Sequence, residues 1–251
     1  MATAPPVAPP VDDRKLLAPV WHTVVLVVFV LVTAFVQTRS SANLGNVHVT
    51  NRAFLYLFMI CFELILLAYV WFLGLRPRGV KFADVVGGKW TRAADVGRDI
   101  GVAFLFWLVV VVLLVTVGHL LGANTQANKV LVVLMPRSAL EMFLWVALSI
   151  TAGFCEEFIF RGYLQKQFFA FTGNHAVAII AQALVFGVAH GYQGAKGMIT
   201  ITLYGALFGI LALMRKSLRP GMMQHAMQDA SAGIFLSLIA KYRPDQLPAL
   251  F

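Results

Sequence analysis

Three short runs in the C-terminal half place residues capable of proton-transfer chemistry at helical spacing. In Glu156-Glu157-Phe158-Ile159-Phe160-Arg161, Glu157 and Arg161 lie four apart and share a helix face, where carboxylate and guanidinium pair. Glu156 points about 100° away and has no local partner. In Phe186-Gly187-Val188-Ala189-His190 the ring and the imidazole are again four apart, with Gln182 on the same face. In His225-Ala226-Met227-Gln228-Asp229 a second imidazole has a carboxylate one turn on, an arrangement that fixes a tautomer and orients the ring. Each run has a bland explanation: a packing ion pair, or a histidine satisfied by a neighbouring carbonyl. A free glutamate, two histidines and an acid on three helices would need a separate excuse each.

The elements carrying these residues are strongly apolar. The 251-residue chain is 60% hydrophobic and 12% charged, with mean hydropathy +0.80, which excludes an ordinary water-soluble fold. A spanning helix needs about 20 apolar residues. The pattern predicts an all-α, polytopic transmembrane bundle with segments near 20–36, 54–74, 100–121, 139–161, 176–191, 198–214 and 222–240. That is about seven spans, within a range of six to eight. Residues 162–175 mix Lys166 and Gln167 with Phe168, Phe169 and Phe171 and are expected to lie at the membrane interface. The predicted organisation is a disordered tail over 1–19, bundle-completing helices over 20–140, a functional core over 141–240 and a C-terminal tail over 241–251.

An ionisable group at the centre of such a helix costs about 2.5 to 3.5 kcal/mol on insertion scales. Glu156, Glu157, Arg161 and Asp229 are all formally charged, a gross cost on the order of 10 kcal/mol if unpaired. They must meet one another, or water. Glu63 is a lone acid in the second span and reads as a bundle-facing polar contact; Gly205-Ala206-Leu207-Phe208-Gly209 reads as a close helix contact.

The net charge of +9 does not point to nucleic acid, because Lys and Arg fall between apolar segments and form no aromatic-studded basic face. They read as topology signals. Arg76, Arg78, Lys81, Lys89, Arg92 and Arg98 form the densest basic run, which the positive-inside rule places in the cytoplasm together with the N-terminus, Arg161, Lys166, Arg215, Lys216 and Arg219. The expected location is a bacterial or archaeal cell membrane. Cys61 and Cys155, the two cysteines, sit in apolar stretches and make no disulfide framework.

The three runs resemble the signatures of the CAAX prenyl protease and bacteriocin-processing family, also called the Abi family: a Glu-Glu-x-x-x-Arg helix, a Phe-x-x-x-His helix and a later His-x-x-x-Asn or Asp helix, in that order. The flanks Phe160-Arg161-Gly162-Tyr163-Leu164-Gln165 and Ser217-Leu218-Arg219-Pro220-Gly221 resemble it too, and the likeness covers roughly 145–240. It implies an intramembrane endopeptidase acting on a membrane-associated peptide or protein, of which a prenylated CAAX-type peptide is one form. In that reading Glu156 takes a proton from water, His190 helps hold the water, Glu157 and Arg161 pair to set the helix, and His225 and residue 229 face the developing oxyanion. The family often has Asn at that last position. An ionised Asp229 cannot donate a hydrogen bond, so either it is protonated or its task is to orient His225.

Glu156, His190 and His225 could alternatively hold zinc with water in the fourth place, as in a metalloprotease; the sequence does not choose between the two. A non-catalytic self-immunity factor or scaffold and, with less support, a proton-coupled transporter are the rival readings. One geometric difficulty follows from the spans. A regular outward helix over 176–191 carries His190 away from Glu156 and His225. The fifth segment must therefore be displaced or extended, or the stretch before it must enter the bilayer.

Overall fold

Runs of Val, Leu, Ile and Phe in lipid can satisfy their backbone only as helices or closed barrels, and here they form helices. The computed structural model describes residues 15–41, 51–122 and 125–243, and no strand occurs among them. In chain order the α-helices are α1 (Val20–Ser41), α2 (Arg52–Ala68), α3 (Phe82–Val86), α4 (Ala93–Leu121), α5 (Thr125–Leu134), α6 (Ala139–Glu156), α7 (Gln165–Thr172), α8 (His175–Ala189), α9 (Gly194–Arg215) and α10 (Arg219–Tyr242). Two stretches wind more loosely, in the π-helical i→i+5 pattern: Tyr69–Leu75 after α2 and Glu157–Leu164 between α6 and α7.

Five helical runs are long and apolar enough to cross a membrane: Val20–Ser40, Arg52–Arg78, Ala93–Leu121, Ala139–Thr172 and Gly191–Arg215. The 15-residue α8 is shorter, and the 24-residue α10 is more polar. With these two, the bundle has the seven embedded helices expected.

Residues 162–172, expected to lie at the interface after the fourth span, continue the fourth helix. From Ala139 to Thr172 the chain is one continuous 34-residue helical run, and Tyr163, Leu164 and Gln167 are wholly buried. The mixed composition that reads as interfacial is that of a helix meeting polar partners inside the bundle. Arg161 likewise sits in the core and does not snorkel to a surface.

This continuation removes the geometric difficulty. Gly173 adopts a left-handed conformation at the end of α7, and the Asn174 side chain accepts hydrogen bonds from the N–H groups of Ala176 and Val177, starting α8. The Thr-Gly-Asn turn thus joins a helix stop to a helix start. The chain travels 16 residues from Glu156 to Thr172 and returns over the 15 residues of α8. His190, which caps α8, comes back level with Glu156.

Close packing sets the other neighbours. A Cβ on Gly153 would stand 2.7 Å from the backbone N of Ala226, and Trp145 Nε1 donates to the Asp229 carbonyl at 3.0 Å, so α10 runs antiparallel along α6. A Cβ on Gly187 would stand 2.8 Å from the Met198 carbonyl, and one on Gly205 would stand 3.3 Å from Ala183 Cα, so α8 and α9 form an antiparallel pair. The expected contact at Gly205 and Gly209 is found there.

The N-terminal segment is held as well. Residues 15–19 were expected to belong to a disordered tail, but the N–H groups of Leu17 and Ala18 donate to Gln167 Oε1 and Gln167 Nε2 returns a bond to the Ala18 carbonyl. On α1, His22 and Thr23 each lie 2.8 Å from the Tyr163 hydroxyl. Residues 1–14 and 244–251, the rest of the two predicted tails, lie outside the described residues.

Candidate active site

The pair predicted by spacing is present: Arg161 Nη1 donates to Glu157 Oε1 at 2.8 Å, with both side chains essentially inaccessible. Burying two charges is costly unless their remaining valences are met. Arg161 Nη2 donates to the Gly205 carbonyl at 3.2 Å, and its guanidinium lies 4.3 Å above the Phe186 ring and 5.0 Å from that of Phe208. Gln182 also donates to the Gly205 carbonyl, and Gln165 donates to that of Gly209. The glycines of α9 therefore allow close approach and offer carbonyls as acceptors for α8 and the 157–165 run.

His225, on α10, brings the first and third motifs together. Its Nδ1 lies 3.1 Å from Glu157 Oε1, while its Nε2 lies 3.6 Å from Glu156 Oε2 and 3.7 Å from Asp229 Oδ2. A carboxylate only accepts, so Nδ1 carries the hydrogen shared with Glu157, and that bond fixes the ring. The orienting role that spacing assigns to Asp229 thus falls first to Glu157; Asp229 stands farther off, with 40% of its side chain accessible. The rings of Tyr204, Phe208 and Phe186 surround the imidazole at 5.6 to 6.2 Å.

His190 reaches the site by the α7–α8 hairpin. Its Nδ1 lies 2.9 Å from the Phe186 carbonyl, which can only accept, so Nδ1 is the donor. The neutral ring then keeps the Nε2 lone pair free to accept a proton or a hydrogen bond. Phe186 positions it with its carbonyl and with an edge-on ring contact at 4.7 Å.

Glu156, His190, His225 and Asp229 all line one cavity of about 1390 Å³, which opens among α1, α2, α4 to α6 and α8 to α10. Most of its wall is apolar, including Leu26, Phe58, Phe62 and Val117. Glu156 Oε2 is buried there without a hydrogen-bond partner.

Two further residues reach the cavity that motif spacing does not single out as chemical. Tyr192 follows His190 on a single 3₁₀ turn, its ring 5.7 Å from the imidazole. Glu63, on α2, lines the same space, and its Oε2 has no hydrogen-bond partner. The sequence signal for Glu63 was its cost as a lone acid in an apolar span; no motif marked it.

Among the described residues, no three His, Cys, Asp or Glu side chains stand together as ligands for one ion. Nδ1 of each histidine is held by another acceptor, which leaves Nε2 of both rings facing away from that bond, as in histidines that ligate a metal.

Apolar helices enclosing carboxylates and imidazoles around a shared cavity are those of an integral membrane protein. Residues 138–231 match the family model described as Type II CAAX prenyl endopeptidase Rce1-like. No curated protein and no solved structure matches the chain.

Proposed function

We propose that this protein is an intramembrane endopeptidase that hydrolyses a peptide bond in a membrane-associated substrate with water activated by Glu156. The observation that carries the reading is the convergence of Glu156, His190, His225 and Asp229, from three separate parts of the chain, on one cavity in which Glu156 Oε2 makes no hydrogen bond.

Water between Glu156 and His190 attacks the carbonyl carbon and gives its proton to Glu156. The carbonyl oxygen becomes an oxyanion, which His225, held by Glu157 through Nδ1, faces with a protonated Nε2. Asp229, on the same helix, keeps that imidazolium charged. Collapse of the tetrahedral intermediate breaks the C–N bond, Glu156 passes its proton to the departing nitrogen, and an acid and an amine are released. Glu157 and Arg161 touch no substrate; they hold the helix and ring in place.

The cavity wall favours an apolar, lipid-tethered substrate, and the family description favours a prenylated C-terminal peptide; an unprenylated membrane-protein tail fits the same wall. The basic segments gather at one end of the bundle. Lys166 Nζ donates to the carbonyls of Asp84 and Val85, Arg219 lies over Trp90, and Arg215 pairs with Asp99. This supports a cytoplasmic placement of that end and of the N-terminus.

The test is cleavage of a library of prenylated and unprenylated membrane peptides by purified wild type, Glu156→Gln and His190→Ala, with and without a chelator. Cleavage by wild type that resists chelation and disappears in Glu156→Gln is expected. Full cleavage by Glu156→Gln removes the proposed base and favours a non-catalytic role, while loss of activity on chelation, restored by zinc, replaces the metal-free mechanism.

A further inference from the structure

The segment that matches the protease family begins at residue 138, yet the cavity is completed by α2, from the other half of the chain. Two aromatic contacts fix how α2 lies against α6. Tyr56 meets Trp145 with ring centroids 5.7 Å apart, and Trp71 meets Phe158 at 6.4 Å. The residue numbers rise together, so the two helices run parallel. Around the first contact, Met59, Ile60 and Leu144 join Tyr56, Trp145 and Leu148 in one apolar cluster.

Glu63 lies between these two contacts, seven residues and so two turns beyond Tyr56. It is level with about residue 152 of α6, roughly one turn before Glu156. Both side chains line the same cavity, and Oε2 of each is buried with no hydrogen-bond partner. Two carboxyl oxygens without hydrogen bonds, of which only that of Glu156 has a cationic neighbour in His225, thus line a common space.

The charges around that space do not balance if every acid is ionised. Glu157 is matched by Arg161 at 2.8 Å, and His225 is shared between Glu156 at 3.6 Å and Asp229 at 3.7 Å. Lys196 also lines the cavity, but beside Gly122 at the end of α4. Among the described residues, no ion pair joins Glu63 to a cation. Like charges close together cannot both persist, so two carboxyls in one site hold one proton between them, giving one neutral donor and one ionised base.

We propose that Glu63 is a positioning residue for Glu156: as the neutral acid it donates a hydrogen bond to the Glu156 carboxylate across the shared cavity and holds it, ionised, toward the attacking water. This rests on the hydrolytic reading above. It also gives the half of the chain outside the family match a chemical task, completing the base.

The experiment uses the full chain in detergent or liposomes, with the best-cleaved peptide of the library as substrate and the infrared carbonyl-stretch band of protonated carboxyls as a readout independent of cleavage. Glu63→Gln keeps a neutral donor and retains kcat within about threefold, whereas Glu63→Leu loses the bond to a charged group and lowers kcat about ten- to a hundredfold with KM nearly unchanged. The band present in wild type disappears in both, and thermal unfolding of Glu63→Gln matches wild type. Wild-type kcat in Glu63→Leu, or a band that survives Glu63→Gln, overturns the proposal. Full activity in Glu156→Gln together with loss of the band in Glu63→Gln would remove the hydrolytic reading and leave the shared proton standing.

Discussion

α4 and the run from α6 to α7 are both long enough to cross a bilayer, yet they meet opposite surroundings. α4 has the highest mean hydropathy of the five spans, 3.0, and 17% of its most apolar window is buried in protein; the α6–α7 run has the lowest, 1.6, and 50% of that window is buried. In water the order would be reversed, because apolar surface would be driven inside. In lipid the tails solvate Leu and Val as well as other helices do, while Glu157 and Arg161 find their partners only inside the bundle, in each other, His225, the rings of Phe186 and Phe208 and the Gly205 carbonyl of α9. The inside of this bundle is therefore chosen by polarity, and the site forms where polarity is concentrated.

That contrast can be broken at four points, in falling order of effect. Glu156→Gln, on the polar run, should reduce cleavage about 10²- to 10⁴-fold without moving the unfolding temperature; activity assays and thermal scans of the same preparation check both halves. Arg161→Met leaves Glu157 charged and buried, and should destabilise the protein by about 3 to 5 kcal/mol, read by thermal or denaturant unfolding in detergent. The double change Glu157→Gln with Arg161→Met should recover much of that loss, and no recovery would mean that the pair acts through packing alone.

Gly187→Ala pushes a Cβ to 2.8 Å from the Met198 carbonyl and 1.9 Å from Thr202 Oγ1. Thr202 can rotate but the carbonyl cannot, so a loss of about 1 to 3 kcal/mol is expected, together with a fall in activity as His190 is displaced. Leu105→Ala on α4, where the residue is 63% exposed to lipid, should change stability by no more than about 0.5 kcal/mol. A larger effect would show a partner covering that face and would end the contrast.

Helical class and most segment boundaries were legible because a span announces itself by length and apolarity; α6 begins at Ala139, capped by Ser138, where the pattern placed it. The Glu157–Arg161 pair was legible for the same local reason, i to i+4 on one face. The course of residues 162–172 was not legible, since Lys, Gln and Phe in alternation describe equally a helix at a headgroup and a helix among polar side chains. Which acid orients His225 was hidden too. Asp229 is the neighbour along the helix, but Glu157, 68 residues away, is the neighbour in space. Glu63 was visible only as an expense without a stated return, because the parallel packing of α2 on α6 depends on contacts far apart in the sequence.

The hairpin at Gly173 and Asn174 makes the distance between two chemical groups a matter of counting. The outgoing arm from Glu156 to Thr172 and the returning α8 differ by a single residue, so the hairpin behaves like a folded ruler whose far mark is His190. One residue inserted within α8 would turn that mark by about 100° around the helix axis and aim the imidazole at lipid, with every motif residue still present. Homologous chains that vary in length here should therefore do so by compensating changes in both arms, or outside them.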